Sequence, residues 1–414
     1  MVTIKPFQAL RPAKKYVEQI AALPYDVYSR EEAKEKVKDN KLSFLNIDRP
    51  ETQFDSSFNM YSDEVYEMAD KQLKSMETEG YFIQDEKPCY YVYELTMDGR
   101  SQTGLAACSS VDDYIEGVVK KHENTRVEKE KDRIRHVDTT SAQTGPIFLT
   151  YRGRDAIRDI INNAKNASPV YDFVSDDEVS HKIWVINDET VIGKLTGEFL
   201  DVETTYIADG HHRAASAVKV SKMRRSAHPG YDGDEEFNFF LSVLFDKDEL
   251  KILDYNRVVL DNNGKSNTEI MKMIKSASEI ISESSTPIKP QVKGEFGFYF
   301  NNKWHLLKEI NDKRITTDPV SAMDVSYLQR EILEPVFGIG NPATDNRIDF
   351  VGGIRGLGEL ERRVKEGAVC AFSMYPSSID ELFDVADAGL LMPPKSTWFE
   401  PKLRSGLLIH KIER

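Results

Sequence analysis

The stretch "YIADGHHRAASAVKV", residues 206–220, places two of the chain's eight histidines side by side, straight after Asp-Gly. The preceding "TTYIA" is β-branched and aromatic and predicts a strand, while "RAASAVKV" is alanine-rich and predicts a helix. Between them lie Asp209, Gly210, His211 and His212, followed by Arg213. Gly210 permits a tight turn or a positive φ, and its missing side chain lets a ligand approach the backbone. A helix starting here aims unpaired N–H groups and the positive end of its dipole at the turn. With Arg213 and the two imidazoles, that makes an anion site. Asp209 is placed to hold a divalent cation that shares phosphate oxygens. The same residues also read as a helix capped by Asp209 with two surface histidines. A zinc site fits less well, because adjacent histidines point apart and no third ligand follows at suitable spacing.

Three further clusters carry possible chemistry. In "GVVKKHENTRVEKEKDR" (117–133), a strand-like run leads to His122 and Glu123, and then to a charged helix. Glu123 reads as a solvated surface residue, or as a base that accepts a proton from a hydroxyl nucleophile if it stands beside the turn at 209–213. In "MPPKSTWFEPKLRSG" (392–406), Lys395, Lys402 and Arg404 gather cations in an acidic chain, and three prolines stiffen the loop. It reads as a surface loop or as one that faces an anion through Lys395, Ser396 and Lys402. The upstream glycines of a Walker A site are missing. Asp26, in "PYDV" (24–27), reads as a helix cap or as a site carboxylate.

The elements that must position these residues alternate irregularly. Ser29 and Glu32 form a capping box, and residues 58–79 carry apolar positions at helical spacing. Strands are predicted over 89–97 and 102–111, joined by Asp98-Gly99, and again over 146–151, 169–174, 181–186, 204–209 and 237–245. A helix is predicted after 152, with none between the strands at 181–186 and 204–209. Without strict β–α alternation, the pattern favours α+β over a doubly wound sheet. "DNNGKSN" (261–267) suggests a boundary, giving a core over 1–260 and a C-terminal portion over 261–414, mixed as α/β or α+β.

At 414 residues the chain can bury a substantial core, and its formal charge of −14 argues against a general nucleic-acid binder. No apolar run is long enough to span a bilayer and no secretory h-region opens the chain, so a cytoplasmic address and no membrane partner are expected. Three separated cysteines without C-x-x-C indicate neither a thiol zinc site nor a disulfide framework.

Together, "LPYDVYSREEA", "KKHENT…EKDRIRH", "ADGHHRAASA", "LDYNRVV" and "LMPPKSTWFEPKLRSGL" resemble the DUF1015 family of bacterial and archaeal proteins, from about residue 5 to the C-terminus. That family is more distantly similar to the ParB/sulfiredoxin-like superfamily, which shares a strand, a glycine turn with a terminal arginine, and a helix that binds nucleotide phosphates. His211 stands where sulfiredoxins have a catalytic cysteine. The turn also differs from the Gly-Glu-Arg-Arg type of ParB proteins, and no helix-turn-helix reader follows.

The free-serine kinases are nearest in motif, with "HE" matching His122-Glu123 and "DG-x-HR" matching Asp209 to Arg213. The two motifs lie farther apart here, with the strands of 152–200 as an elaboration. The resemblance implies a mixed-sheet nucleotide-binding core and phosphoryl transfer from ATP or ADP to free L-serine. In that reading Glu123, beside His122, is the base and Asp209 positions Mg²⁺. Gly210, His211, His212 and Arg213 hold the phosphate. Lys395, Ser396 and Lys402 form a second wall if the loop at 392–406 returns to the site. The alternative is a ParB-like module gated by CTP or ATP, without kinase activity.

Overall fold

The computed structural model describes residues 1–412. The chain divides into two units, Met1–Leu250 with Pro401–Arg414, and Lys251–Glu400.

The first unit is built on a nine-stranded mixed sheet. Across it run Val119–Lys120, Thr205–Asp209, Ile147–Tyr151, Phe239–Asp246, Arg100–Ser110, Tyr90–Met97, Ser180–Ile186 and Tyr171–Val174, with Ile4–Lys5 pairing off the path against Arg100–Ser110. The first and third of these pairings are parallel and the remainder antiparallel, as in an α+β fold. The hairpin at Asp98-Gly99 has positive φ at both residues (51° and 74°), the backbone that the Asp-Gly pair predicts.

One face of the sheet buries Ile147, Leu149, Ile207 and Leu244 against Ala214, Ala217 and Val218 of the helix His211–Ala227. The alanines let that helix lie close to the strands. A second cluster joins Leu10, Phe44, Leu73 and Phe82 to Ala142 and Ile409.

Two expectations need correction. A helix, Glu189–Leu200, lies between the strands at 180–186 and 205–209, where none was predicted. Asp188 caps it through Thr190 and Val191, and Leu195 and Phe199 are fully buried. The division also falls ahead of residue 260. Tyr255–Val259 pairs with Ile348–Gly352 and Cys370–Met374, which places it in the second unit.

The chain's end belongs to the first unit because it is tied there. Leu10 donates to the Ile409 carbonyl (3.0 Å), Ala22 and Ser405 bridge, and His410 pairs with Gln143. The six-stranded sheet of the second unit is antiparallel throughout, so that portion is α+β rather than α/β. Among the described residues no helix is long and apolar enough to cross a membrane. Cys89, Cys108 and Cys370 are buried free thiols.

Candidate functional site

Strand Thr205–Asp209 carries a register shift between Ile207 and Asp209, so that Ala208 is passed over and Asp209 pairs with Phe148. Gly210 follows in the left-handed region (φ 93°, ψ 30°) and heads the seventeen-residue helix His211–Ala227. The sequence motif is thus a strand, a glycine turn and a helix N-terminus, with Asp209 on one side and Arg213 one turn in. No side chain caps the helix, so the alternative of an Asp209 cap does not hold.

Two cations converge on Asp209 Oδ2, Lys402 Nζ at 3.4 Å and Arg213 Nη2 at 3.6 Å. Burial alone would raise the Asp209 carboxyl. Lys402 and then Arg213 outweigh it and hold the group well below the usual carboxylate range. Arg213 Nη1 donates to the Pro146 carbonyl (2.5 Å), while its Nε is buried without a hydrogen-bond partner. That Nε is a spare donor at the head of the helix. Two cations against one carboxylate, with the helix N-terminus, make a locally positive spot on a chain of net charge −14.

The imidazoles contribute as neutral groups. His122 is buried, and burial lowers its pKa to about 4, against a hydrogen bond to Ile207 that raises it. His211 is pushed down by burial and then by His122, and His212 by burial. The rings of His122 and His211 meet edge to face, with centroids 4.5 Å apart. His212 Nε2 accepts the Arg126 N–H at 2.9 Å, and the His122 N–H points at His211 Nε2 at 3.5 Å. These bonds tie the segment 122–126 to the turn. Glu123, next to His122, is exposed on the bend that follows Val119–Lys120.

The other predicted residues separate by unit. Lys402 lies in the first unit, at the turn. Lys395 and Ser396 lie in the second, where Lys395 is exposed at φ 58° and Ser396 Oγ donates to the Pro393 carbonyl (2.6 Å). Asp26 is not a helix cap, because Ser29 caps Arg30–Val37 in a full capping box. It is exposed, and its charge is felt by His212 and Tyr25.

Sequence reasoning missed Gly145 and Ser405. A Cβ on Gly145 would stand 2.8 Å from Ser405 Oγ and 3.4 Å from Arg213 Nη1, so only glycine lets the three meet. Gly145 also lines a cavity of about 30 Å³ with Tyr25, Asp48, Arg133 and Arg213, room for a water or two. The Gly-Pro pair at 145–146 was the available signal.

The matching family profile, "Protein of unknown function (DUF1015)", spans residues 4–326. The chain belongs to the DUF1015 family. No curated protein matches this DUF1015 chain. Among solved structures, a free serine kinase mutant in complex with ADP is 13% identical, covers 75% of this chain and 92% of its own, and gives a TM-score of 0.35. A conserved hypothetical protein from Pyrococcus furiosus is 13% identical over 73% of this chain and 93% of its own, at a TM-score of 0.31. C-terminally truncated SbnI from Staphylococcus aureus is 8% identical over 71% and 82%, at 0.36. Likeness at this level assigns no activity.

The turn can receive an anion through backbone N–H groups, Arg213 and Lys402. Among the described residues, no group of three or more His, Cys, Asp or Glu side chains could hold a metal ion.

Proposed function

We propose that the chain is a small-molecule kinase with a ParB/sulfiredoxin-like core, moving a phosphoryl group from ATP or ADP to the hydroxyl of free L-serine. The observation that carries this reading is the convergence of Lys402 and Arg213 on Asp209 at a left-handed glycine turn heading a long helix. Phosphoryl transfer needs positioning and charge neutralisation rather than covalent chemistry. The N–H groups after Gly210, with Arg213 and Lys402, hold the transferring phosphate, and His211 and His212 shape the turn as neutral rings. Mg²⁺ at Asp209 would neutralise charge on the phosphate oxygens.

Glu123 is the proposed base, next to His122, which packs on the turn. Asp26 is the second reading for that role, favoured by its charge acting on His212. The reaction is protein with Mg²⁺, L-serine and ATP or ADP, read by phosphoserine formation. Glu123→Gln abolishing turnover with nucleotide binding retained assigns the base to Glu123; the same outcome for Asp26→Asn assigns it to Asp26. No phosphoserine from unaltered protein sinks the serine kinase. Nucleotide-dependent association with a protein partner, without turnover, would then favour the gated module.

A further inference from the structure

Arg257 lies in the strand Tyr255–Val259 of the second unit, with only 4% of its surface exposed. Nη1 donates to the Tyr255 carbonyl and Nη2 to the Lys395 carbonyl (3.1 Å), and the guanidinium rests over Phe350, 5.4 Å from the ring centroid. Among the described residues no carboxylate pairs with it. Asp254, just before the strand, is taken up by Lys289 (3.3 Å) and Asn256 (2.7 Å), and Asp349, in the neighbouring strand, by Arg363 (3.0 Å). Burial therefore acts uncompensated and pushes the guanidinium down to about 10. Buried arginines are normally paired, because carbonyls alone return only part of the hydration that a full charge loses. Nε donates to no group of the described chain and, unlike Nε of Arg213, keeps accessible surface.

A second cation stands on the same cluster of rings. Lys395 is exposed and its Nζ lies over Tyr255, 5.6 Å from the centroid, with no carboxylate partner among the described residues. Tyr255 meets Phe350 edge to face at 6.1 Å and Trp398 at 5.0 Å. The loop that carries Lys395 is fixed. Arg257 grips its carbonyl, Ser396 Oγ donates to the Pro393 carbonyl (2.6 Å), and Ser377 Oγ donates to the Ser396 carbonyl (3.2 Å). Lys395 is held in the left-handed region (φ 58°), which a lysine seldom adopts. Two like charges thus share one aromatic cluster, neither balanced by an acid, and one of them is largely out of water.

We propose that the second unit binds a phosphate group here, on Arg257 Nε and Lys395 Nζ. A phosphate carries about two negative charges near neutral pH and matches the two cations, whereas a carboxylate balances only one. Guanidinium N–H groups suit its oxygens in geometry as well as charge. Both residues and the rings lie within Lys251–Glu400, so the inference goes beyond the proposed reaction and does not rest on it.

Arginine side-chain NMR on the isotope-labelled full chain tests it. Arg257→Lys, its fold checked by near-UV circular dichroism, identifies the Arg257 Nε–H signal as the one it lacks. Inorganic phosphate, O-phospho-L-serine or ADP should shift that signal saturably, and the one that saturates first names the source; acetate should not. Lys395→Gln, at an exposed position, should weaken the same ligand by about threefold to tenfold. If Arg257→Lys does not fold, calorimetry of unaltered and Lys395→Gln protein with the same ligands decides alone. A signal unmoved by all three up to about 10 mM, an equal response to acetate, or unchanged affinity in Lys395→Gln overturns the proposal. A saturable shift without phosphoserine formation upholds this site and sinks the kinase reading. Phosphoserine formation with an unmoved Arg257 signal does the reverse.

Discussion

Lowering the pH should weaken the first unit through its buried neutral histidines, and His122 gives the magnitude. Its ordinary pKa of 6.5 falls to about 4 in the folded chain, chiefly through burial. A depressed histidine pKa means that the unfolded chain binds the proton first as pH falls. Stability is therefore intact above the unfolded value of 6.5, declines below it, and the loss is complete near 4. At about pH 5 the unfolded imidazole is nearly all protonated and the folded one mostly neutral, a difference of about 2 kcal/mol relative to about pH 7. His181, lowered to about 3 by burial and by Arg404, adds a similar term over the same window. Asp209 is depressed too, but its loss falls below its ordinary 3.8 and so outside this range. Asp113, which burial raises, acts in the opposite sense. Urea unfolding of wild type and His122→Gln at the two pH values measures the effect, since glutamine can still donate to Ile207 and does not titrate. Wild type should lose about 2 kcal/mol more than the variant between about pH 7 and about pH 5. Equal losses would refute the neutral buried ring.

Gly210→Ala places a Cβ at φ 93°, within 3.0–3.2 Å of the Arg213 guanidinium. It should cost about 1–2 kcal/mol, lower Tm by about 2–4 °C, and weaken ADP binding in calorimetry by shifting Arg213. Arg213→Lys keeps the charge but loses the fork that reaches Pro146 and leaves Nε spare; ADP affinity should fall by about tenfold, read in the same titration.

Local signals in the sequence carried much of the fold. Asp98-Gly99 marked its hairpin, Ser29 and Glu32 their capping box, and Gly210 the turn. The helix Glu189–Leu200 was not legible because Thr190, Val191, Ile192, Gly193 and Gly197 are poor helix formers. Burial of Leu195 and Phe199 supplies what propensity lacks, and that burial depends on partners remote in sequence. The boundary at 260 failed for a related reason. Loop composition at 261–267 is visible locally, whereas the pairing of Tyr255–Val259 with two distant strands is not. Within the site, the residue types at 209–213 were readable, but their charge states were not. His122 and His211 are neutral because of burial that only the tertiary fold creates.

The candidate site also depends on chain closure. Lys402 and Asp209 are 193 residues apart in sequence, and the segment carrying Lys402 is held by the Ala22–Ser405 bridge and by Ser405 against Gly145. Lys402 can neutralise Asp209 only when this C-terminal segment has docked on the N-terminal loop and on the turn before Ile147–Tyr151. The locally positive spot is thus a property of the closed first unit and absent from any partly folded chain that lacks the segment. An anion bound at the turn favours the closed state over the open one by mass action, so ligand binding and docking of the C-terminus reinforce each other. That coupling gives a physical reason for the segment that carries Lys402 to return to the first unit after a second unit of 150 residues, Lys251–Glu400.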